Sequence, residues 1–177
     1  MSIERLWAGW RMPYVSEATG AGAQPAGVGA EGEEHGCTFC KILGSGEPES
    51  ATYVVWRGRG CAAVLNAYPY ASGHVLVMPT RHVAELGELG GDESAGVWSG
   101  IRDAVAALRE AYSPEGFNVG FNLGRAAGAG IPAHLHAHVV PRWVGDTNFM
   151  TCVAEARVLP ESLASTWERV RAAWPLS

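Results

Sequence analysis

The feature that most constrains this chain is a run of three alternating histidines, His134-Leu135-His136-Ala137-His138. Half of the chain's six histidines fall within these five positions. Because the side chains of a β-strand alternate between its two faces, the spacing predicts a strand over 134–140 that presents all three histidines on one face. The intervening apolar residues would face the core. We therefore expect a half-buried strand, closed by Pro141, with a polar functional face.

Regular patterns on both sides of the histidine run predict the rest of a sheet and two helices. Apolar residues recur at helical spacing between Asp92, a good N-cap residue, and Tyr112. The remaining segments are predicted to form a hairpin over 52–66, strands over 74–78 and 117–123, and a last helix over 161–174. Strands in this order around one long helix predict an α+β fold, an antiparallel sheet with helices to one side.

Composition bounds the class of protein and its partners. The 177 residues fit a single domain, and the net charge of -5 argues against a broad nucleic-acid surface, which is normally basic. No stretch reaches the roughly 20 apolar residues that span a bilayer. Residues 1–14 lack the cationic start and apolar run of a secretory signal. We therefore expect a cytoplasmic protein whose partners include neither nucleic acid nor a membrane.

The N-terminal part of the chain divides into two segments of different composition. Residues 1–14 are rich in aromatic side chains, which we expect to pack on the body of the domain or on a partner subunit. Residues 17–35 are rich in glycine and alanine and poor in large apolar side chains. That composition predicts a flexible loop.

Cys37 and Cys40 form a CxxC pair that resembles half of a zinc site. With no second CxxC in the chain, histidines would have to supply the other ligands, and the candidates are His82, His134 and, within the predicted loop, His35. A redox pair is disfavoured because no predicted strand precedes it, while a structurally inert pair stays open. The two other cysteines, Cys61 and Cys152, are expected to be buried as small hydrophobic residues.

The histidine face suits phosphoryl chemistry. A neutral imidazole is a competent nucleophile near pH 7, and attack on a phosphate gives a phosphoramidate that water or phosphate can cleave later. The attacking nitrogen must be unprotonated, so the other ring nitrogen should donate to a fixed acceptor such as a backbone carbonyl. Flanking imidazoles can donate hydrogen bonds to phosphate oxygens. One strand can therefore supply both a nucleophile and its electrostatic support.

A loop of small residues precedes the histidine strand. Apart from Arg125, the stretch Gly124–Gly130 lacks bulky side chains, so its backbone N–H groups can approach a phosphate closely. Asn122, at the end of the preceding predicted strand, is placed to orient a ligand or, equally, to cap a turn.

Three alternative roles for the histidines stay open. His134, His136 and His138 would together suit a catalytic metal, which would make the protein a metallohydrolase. A non-catalytic nucleotide-binding module would use the same loop without turning a substrate over. The three histidines could also be ordinary surface or core residues.

Several segments together resemble the histidine triad family. The resemblance is closest over residues 60–150. His134–Val140 matches the HxHxHxx motif of the family, and Gly73–Pro79 resembles its earlier strand signature. The other matching segments are the loop Asn122–Gly124 with Ala127-Gly128, Pro141–Trp143 and Gly145–Phe149. With Asn66–Tyr70 and the tryptophan-containing N-terminus, they are similar to a branch of bacterial diadenosine tetraphosphate phosphorylases.

The resemblance implies a HIT-like fold and an enzyme that cleaves dinucleoside polyphosphates as a nucleotide phosphorylase (adenylyltransferase) or hydrolase, through a covalent nucleotidyl-histidine. His136 would be the nucleophile, His138 would contact the scissile phosphate, and His74 would join the histidine network. Asn66 would lie near the ribose. The phosphates would meet Asn122 and the loop residues Gly128, Ala129 and Gly130.

By the same resemblance, a structural zinc ion would be bound by Cys37, Cys40, His82 and His134 in a zinc knuckle, with no organic cofactor. The ion would have no open position for water and would leave His136 free. The family also implies a homodimer.

The sequence departs from the family pattern at one place. Many members carry Gln, Ser or Thr in the loop before the triad, whereas this chain has Gly128-Ala129-Gly130-Ile131-Pro132. The loop is also one residue longer than in the commonest pattern, as in the phosphorylase-like branch. Phosphate binding here would therefore depend on backbone N–H groups.

Overall fold

The computed structural model describes residues 36–146 and 160–175, whose centre is a five-stranded sheet. The strands are β1 Val54–Gly58, β2 Cys61–Leu65, β3 Val75–Pro79, β4 Gly116–Phe121 and β5 Ala137–Arg142. Their order across the sheet is β1-β2-β3-β5-β4, and every neighbouring pair is antiparallel. The predicted α+β class is thereby confirmed.

Helices cover the two faces of the sheet unequally. The helices are α1 Thr38–Gly44, α2 Glu49–Thr52, α3 Gly91–Tyr112 and α4 Leu163–Ala173. The long α3 and the C-terminal α4 pack on one face, where apolar residues of alternating strand positions form the larger core cluster. Phe39 of α1 packs on the other face, with Cys37, Leu76 and Met78. The short helix α1 covers only part of this second face. The uncovered part, beside α1, has room for a site.

The predicted hairpin is confirmed as β1 and β2, which a two-residue turn joins. Gly58 pairs with Cys61, and the residues between them, Arg59 and Gly60, have φ angles of 52° and 70°. Two consecutive left-handed residues give the turn the twist that matches right-handed strands. Cys61 is 1% exposed, as expected, and burial raises the pKa of its thiol to about 11.

The long helix begins earlier than its sequence pattern predicts. Gly90, and not Asp92, is the N-cap residue, because the carboxylate of Glu93 accepts a hydrogen bond of 3.0 Å from the Gly90 N–H. Further along, Gly96 brings the helix against the hairpin: a Cβ there would lie 2.6 Å from the carbonyl oxygen of Arg59. The absence of a side chain at Gly96 therefore sets how closely α3 approaches the sheet.

The histidine strand is displaced from its predicted position. β5 covers Ala137–Arg142, so His134 and His136 precede the strand. Pairing with β3 ends at Ala137, and the N–H of Leu135 donates instead to the carbonyl of Val83 at 2.6 Å. The strand continues through Pro141, which pairs only with β4 because β3 begins at Val75, opposite Val139. The predicted boundaries 134–140 were therefore wrong by about three residues at the start.

Other sequence expectations differ in detail or lie outside the described residues. β4 ends at Phe121 rather than Leu123, and α4 begins after the N-cap Ser162. The aromatic segment 1–14, the loop 17–35 with His35, and Cys152 all lie outside the described residues. Within the described ranges, no helix combines the length and hydrophobicity needed to cross a bilayer.

Candidate active site

The triad histidines lie together at the middle of the sheet face that α1 partly covers. His134 is fully buried, His136 is 5% exposed, and His138 is partly buried. Although the strand begins only at Ala137, the rings of His136 and His138 remain neighbours, with centroids 5.0 Å apart. His74, which directly precedes β3, is 1% exposed and lies 5.1 Å from the His138 ring. The chain therefore gathers the three residues predicted to be catalytic.

The orientation of the His136 imidazole follows from one hydrogen bond. Its Nδ1 lies 2.8 Å from the carbonyl oxygen of His134. A carbonyl only accepts, so Nδ1 carries the proton and Nε2 keeps its lone pair. Burial lowers the pKa of this imidazole below its usual value, which favours the neutral ring. The backbone acceptor predicted for a nucleophilic histidine is present.

A chain of hydrogen bonds fixes the tautomers of His74 and His138. The backbone N–H of Tyr70 donates to His74 Nδ1 at 3.1 Å, so the neutral His74 ring carries its proton on Nε2. His74 Nε2 then donates to His138 Nδ1 at 2.9 Å. His138 must in turn carry its proton on Nε2. Burial, assisted by His136, lowers the pKa of His138 to about 4, so the ring is neutral near pH 7.

The Nε2–H of His138 is an unpaired donor. It is buried and has no hydrogen-bond partner among the described residues. Buried N–H groups almost always have a partner, and an exception at a cluster of histidines points to a ligand. An oxygen of a bound phosphate beside His136 would supply that acceptor.

Asn66 joins the histidine cluster from the loop between β2 and β3. Its amide nitrogen lies 3.3 Å from His74 Nδ1, and its Oδ1 accepts a 2.9 Å hydrogen bond from the N–H of Tyr68. Asn66 also lines a cavity of about 290 Å³ between this loop and the start of α4. Asn66, which is predicted to contact the ribose, therefore lies beside the histidine cluster.

Asn122 follows the end of β4. The last pair of the register is Phe121 with Ala137, so Asn122 and His136 are the residues that directly follow and precede the paired strands at this end of the ladder. The side chain is partly exposed. The contact of Asn122 with phosphate stays a prediction.

The small-residue loop after Asn122 forms a 3-10 turn over Arg125–Ala127. The N–H groups of Gly128 and Ala129 donate within it, to the carbonyls of Arg125 at 2.9 Å and Gly124 at 3.3 Å. Gly128 has a φ of 88°, which favours glycine. Phosphate binding by either amide, as predicted, would require one of these internal bonds to be exchanged.

A compact group of potential metal ligands lies directly behind the triad. One ligand atom from each of Cys37, Cys40, His82 and His134 lies within 4.8 Å of the others. Cys37 Sγ is 3.4 Å and Cys40 Sγ 3.5 Å from His134 Nδ1, and Cys40 Sγ is 3.3 Å from His82 Nδ1. A tetrahedral zinc ion with Zn–S of about 2.3 Å and Zn–N of about 2.0–2.1 Å separates S and N by about 3.6 Å. The four donors therefore fit zinc in type and spacing.

The second nitrogen of His134 supports the same geometry. Its Nε2 lies 2.9 Å from the carbonyl oxygen of Pro79, which fixes the ring with Nδ1 towards the two cysteines. Of the three histidines that a catalytic metal would need, only His134 belongs to this group, since His136 and His138 use Nδ1 in other hydrogen bonds. The geometry thus favours a metal site made by the CxxC pair over one made by the triad.

Sequence reasoning missed two aromatic residues that contact the histidines. Phe39, inside the CxxC pair, lies with its ring edge against His134 and His136 at 5.5 and 5.0 Å. Tyr70 stacks on His138 at 5.9 Å with an interplanar angle of 9°. Their positions within two predicted motifs, the CxxC pair and Asn66–Tyr70, were the available signal.

Comparison with known proteins identifies the family to which the chain belongs. The model of the HIT domain matches residues 47–144. A protein named AP-4-A phosphorylase from Mycobacterium tuberculosis is 38% identical over 97% of this chain and 85% of its own length. An asymmetrical bis(5'-nucleosyl)-tetraphosphatase from Schizosaccharomyces pombe is 33% identical over 52% of this chain and 50% of its own. Both names denote enzymes, which confirms the prediction of a HIT-family enzyme.

The solved structures agree with the fold. A zinc-bound histidine triad family protein from Mycobacterium smegmatis superposes with a TM-score of 0.64 at 28% identity, over 80% of this chain and 94% of that protein. The resemblance to the histidine triad family inferred from sequence motifs is therefore confirmed by sequence and by structure. This chain belongs to the HIT, or histidine triad, family.

Proposed function

We propose that this protein cleaves dinucleoside polyphosphates such as diadenosine tetraphosphate, as a nucleotidyltransferase or hydrolase with a covalent nucleotidyl-His136 intermediate. The observation that carries the proposal is that the buried His136 ring keeps an unprotonated Nε2 and lies beside the N–H donor of His138, which has no partner among the described residues. The names of the two enzyme relatives support the substrate class.

In the first step, His136 Nε2 attacks the α-phosphorus of the substrate. A P–N bond forms, and the P–O bond to the remaining polyphosphate breaks, so the leaving nucleotide departs with the electron pair. The imidazole then carries a positive charge, which the Nδ1–H bond to the His134 carbonyl stabilises. This hydrogen bond also keeps the ring oriented, so little reorganisation accompanies the step.

His138 acts as a neutral hydrogen-bond donor to an oxygen of the reacting phosphate. Its Nδ1 accepts a hydrogen bond from His74, so the neutral ring keeps its proton on Nε2. Charge on the phosphate oxygens grows during attack, and a fixed N–H in a partly buried site stabilises that charge more than water does. His74 and the Tyr70 N–H thereby serve to hold the donor in place.

Asn66 and Asn122 would bind the ribose and the phosphates from either side of the triad. The loop residues Gly128, Ala129 and Gly130 are proposed to contribute backbone N–H groups. We assign the second step to water or to inorganic phosphate, which would release the nucleotide from His136 as AMP or ADP respectively.

We further propose that Cys37, Cys40, His82 and His134 hold a zinc ion, as the donor spacing and the zinc-bound relative suggest. When bound, an ion with four protein ligands is structural and leaves no position for water. His134 would join that cluster through its side chain and support His136 through its carbonyl.

Our proposal for the whole chain is a single HIT-like domain over residues 1–177 that acts as a cytoplasmic homodimer without an organic cofactor. β4 is one of the two edge strands of the described sheet, and Val119 on it is 44% exposed, which suits a contact with a second copy. Light scattering coupled to gel filtration would measure the assembly, and a monomer at micromolar concentration would contradict it.

Product analysis tests the reaction. Enzyme is mixed with diadenosine tetraphosphate, with and without inorganic phosphate, and the nucleotides are separated. ADP and ATP formed only with phosphate establish a phosphorylase, whereas AMP and ATP formed without phosphate establish a hydrolase. Nucleotide binding with no product in either mixture would contradict the proposal and favour a binding module.

A further inference from the structure

Phe39 links the candidate metal site to the candidate nucleophile. It lies between Cys37 and Cys40, in the first turn of α1, and is 5% exposed. Its ring meets His134 at 5.5 Å with an interplanar angle of 86°, and His136 at 5.0 Å with an angle of 62°. One side chain therefore touches both a proposed zinc ligand and the ring that is proposed to attack the substrate.

The rotation of the His136 ring must be fixed by packing contacts as well, because a single hydrogen bond at Nδ1 does not by itself fix the orientation of the ring plane. The torsion that turns an imidazole about its Cβ–Cγ bond has broad energy wells, so neighbouring atoms must select its value. Among the described residues, two aromatic rings lie against His136: Phe39, and His138 at a centroid distance of 5.0 Å. Together with the bond to the His134 carbonyl, they determine where Nε2 points.

Phe39 is itself firmly held. It belongs to a cluster of buried residues that includes Cys37, Leu76 and Met78, of which Met78 is fully buried. The cysteines on both sides of it lie within 3.5 Å of histidine nitrogens of the candidate metal site. Phe39 is thus a rigid support, while the other wall of the nucleophile is His138, which must also engage the substrate.

We propose that Phe39 is a positioning residue, which holds the His136 imidazole in the rotation that directs Nε2 at the α-phosphate. This inference rests on the proposed function. Phe39 carries no group that could bind phosphate or transfer a proton, so its effect on the rate of attack should come through the orientation of the His136 ring.

The test is Phe39→Leu in the full-length protein, which removes the ring and keeps most of the volume. Formation of the nucleotidyl adduct is followed in a single turnover with labelled diadenosine tetraphosphate. We expect this rate to fall by about 10- to 100-fold, the range for a small misplacement of reacting atoms. The zinc content should match that of the wild type.

Leu43→Ala is the matched control, because Leu43 packs against the same buried cluster from the same helix. It should lower the melting temperature at least as much as Phe39→Leu and leave the rate of adduct formation unchanged. An equal loss of rate in Leu43→Ala would overturn the proposal, as would a wild-type rate in Phe39→Leu. If Phe39→Leu does not fold, Phe39→Met is compared with the same control by the same criteria.

A measurement independent of turnover separates this inference from the proposed function. In the wild type, the Nδ1–H proton of His136 should give a protected signal in NMR spectra recorded in water. Phe39→Leu should broaden or lose that signal while the Nε2–H signal of His74 persists. Absence of an adduct in the wild type would contradict the proposed function alone, whereas an unchanged His136 signal in Phe39→Leu would contradict the positioning role alone.

Discussion

His136 Nδ1 donates to the carbonyl oxygen of His134 at 2.8 Å, while the His134 side chain lies among the cysteines of the candidate metal site. A single residue therefore contributes its backbone to the nucleophile and its imidazole to the metal cluster. This dual use explains why alternate histidines are needed here. Both His134 and His136 lie before the regular ladder, since β5 begins at Ala137.

Replacing the nucleophile by glycine should allow chemical rescue. We expect His136→Gly to lower turnover of diadenosine tetraphosphate by at least about 1,000-fold, because the covalent step is lost. The vacated space next to Phe39 and His138 should admit free imidazole, which would restore part of the activity. Product formation is measured against imidazole concentration, with the wild type as the control that imidazole should not accelerate. Retention of full turnover in His136→Gly would contradict covalent catalysis by this residue.

Metal content should follow the CxxC pair and not the triad. We expect the wild type to bind about one zinc ion per chain, as a four-donor site does, and Cys37→Ala to lose it with a fall in melting temperature. Cys61→Ala, which removes a buried thiol from the larger core cluster on the opposite face of the sheet, should keep the ion. Elemental analysis measures both. Loss of zinc in His136→Ala and His138→Ala, with retention in Cys37→Ala, would instead establish a catalytic metal on the triad.

The pKa of His138 gives a pH dependence of stability. Its folded pKa of about 4 lies below the unfolded value of about 6.5, so the unfolded chain binds more protons between these values. The contribution of His138 to the free energy of unfolding should therefore fall as the pH drops from 6.5 towards 4, and should be constant above 6.5. Urea unfolding of the wild type and His138→Gln at several pH values isolates this contribution. A stability difference between the two proteins that does not change with pH would contradict it.

Gly96 lies where α3 closely approaches the hairpin, so a larger residue at this position should lower the stability of the protein. An added Cβ at Gly96 would lie 2.6 Å from the Arg59 carbonyl oxygen and 2.9 Å from Cys61 Sγ, so we expect Gly96→Ala to lower the free energy of unfolding by about 1–3 kcal/mol. Gly91→Ala, at the start of the same helix, meets nothing within 4 Å and should be neutral or stabilising. Chemical denaturation compares the two. Equal stability of both variants would show that the helix does not depend on this contact.

The sequence predicted the parts of the fold that depend on local patterns. The hairpin over 52–66 and the periodicity of α3 are local properties, and both were predicted correctly in type, although β1 extends through Gly58 and leaves a turn of only two residues. The start of the histidine strand was predicted wrongly. It depends on where pairing with β3 stops and on the hydrogen bond from Leu135 to Val83, and both β3 and Val83 are distant from the histidines in the sequence. The start of α3 was misjudged because the side chain of Glu93 caps Gly90 from within the helix.

In the candidate site too, some features were predictable from the sequence and others depend on contacts across the fold. Alternation alone identified the histidines, and the family resemblance identified the four metal-binding candidates that the fold brings together. The roles of Phe39 and of the Tyr70 N–H depend on contacts across the fold, which spacing along the chain does not report. The internal hydrogen bonds of Gly128 and Ala129 are a further property that composition could not indicate.

The most direct test of the central claim is to find the substrate's nucleotidyl group on the protein. Wild-type enzyme is mixed with radiolabelled diadenosine tetraphosphate, quenched during turnover, digested and examined by mass spectrometry. We expect an acid-labile adenylyl group attached to His136, absent from His136→Gly. Turnover of the substrate without any adduct on His136, at a rate that its substitution leaves unchanged, would contradict the mechanism.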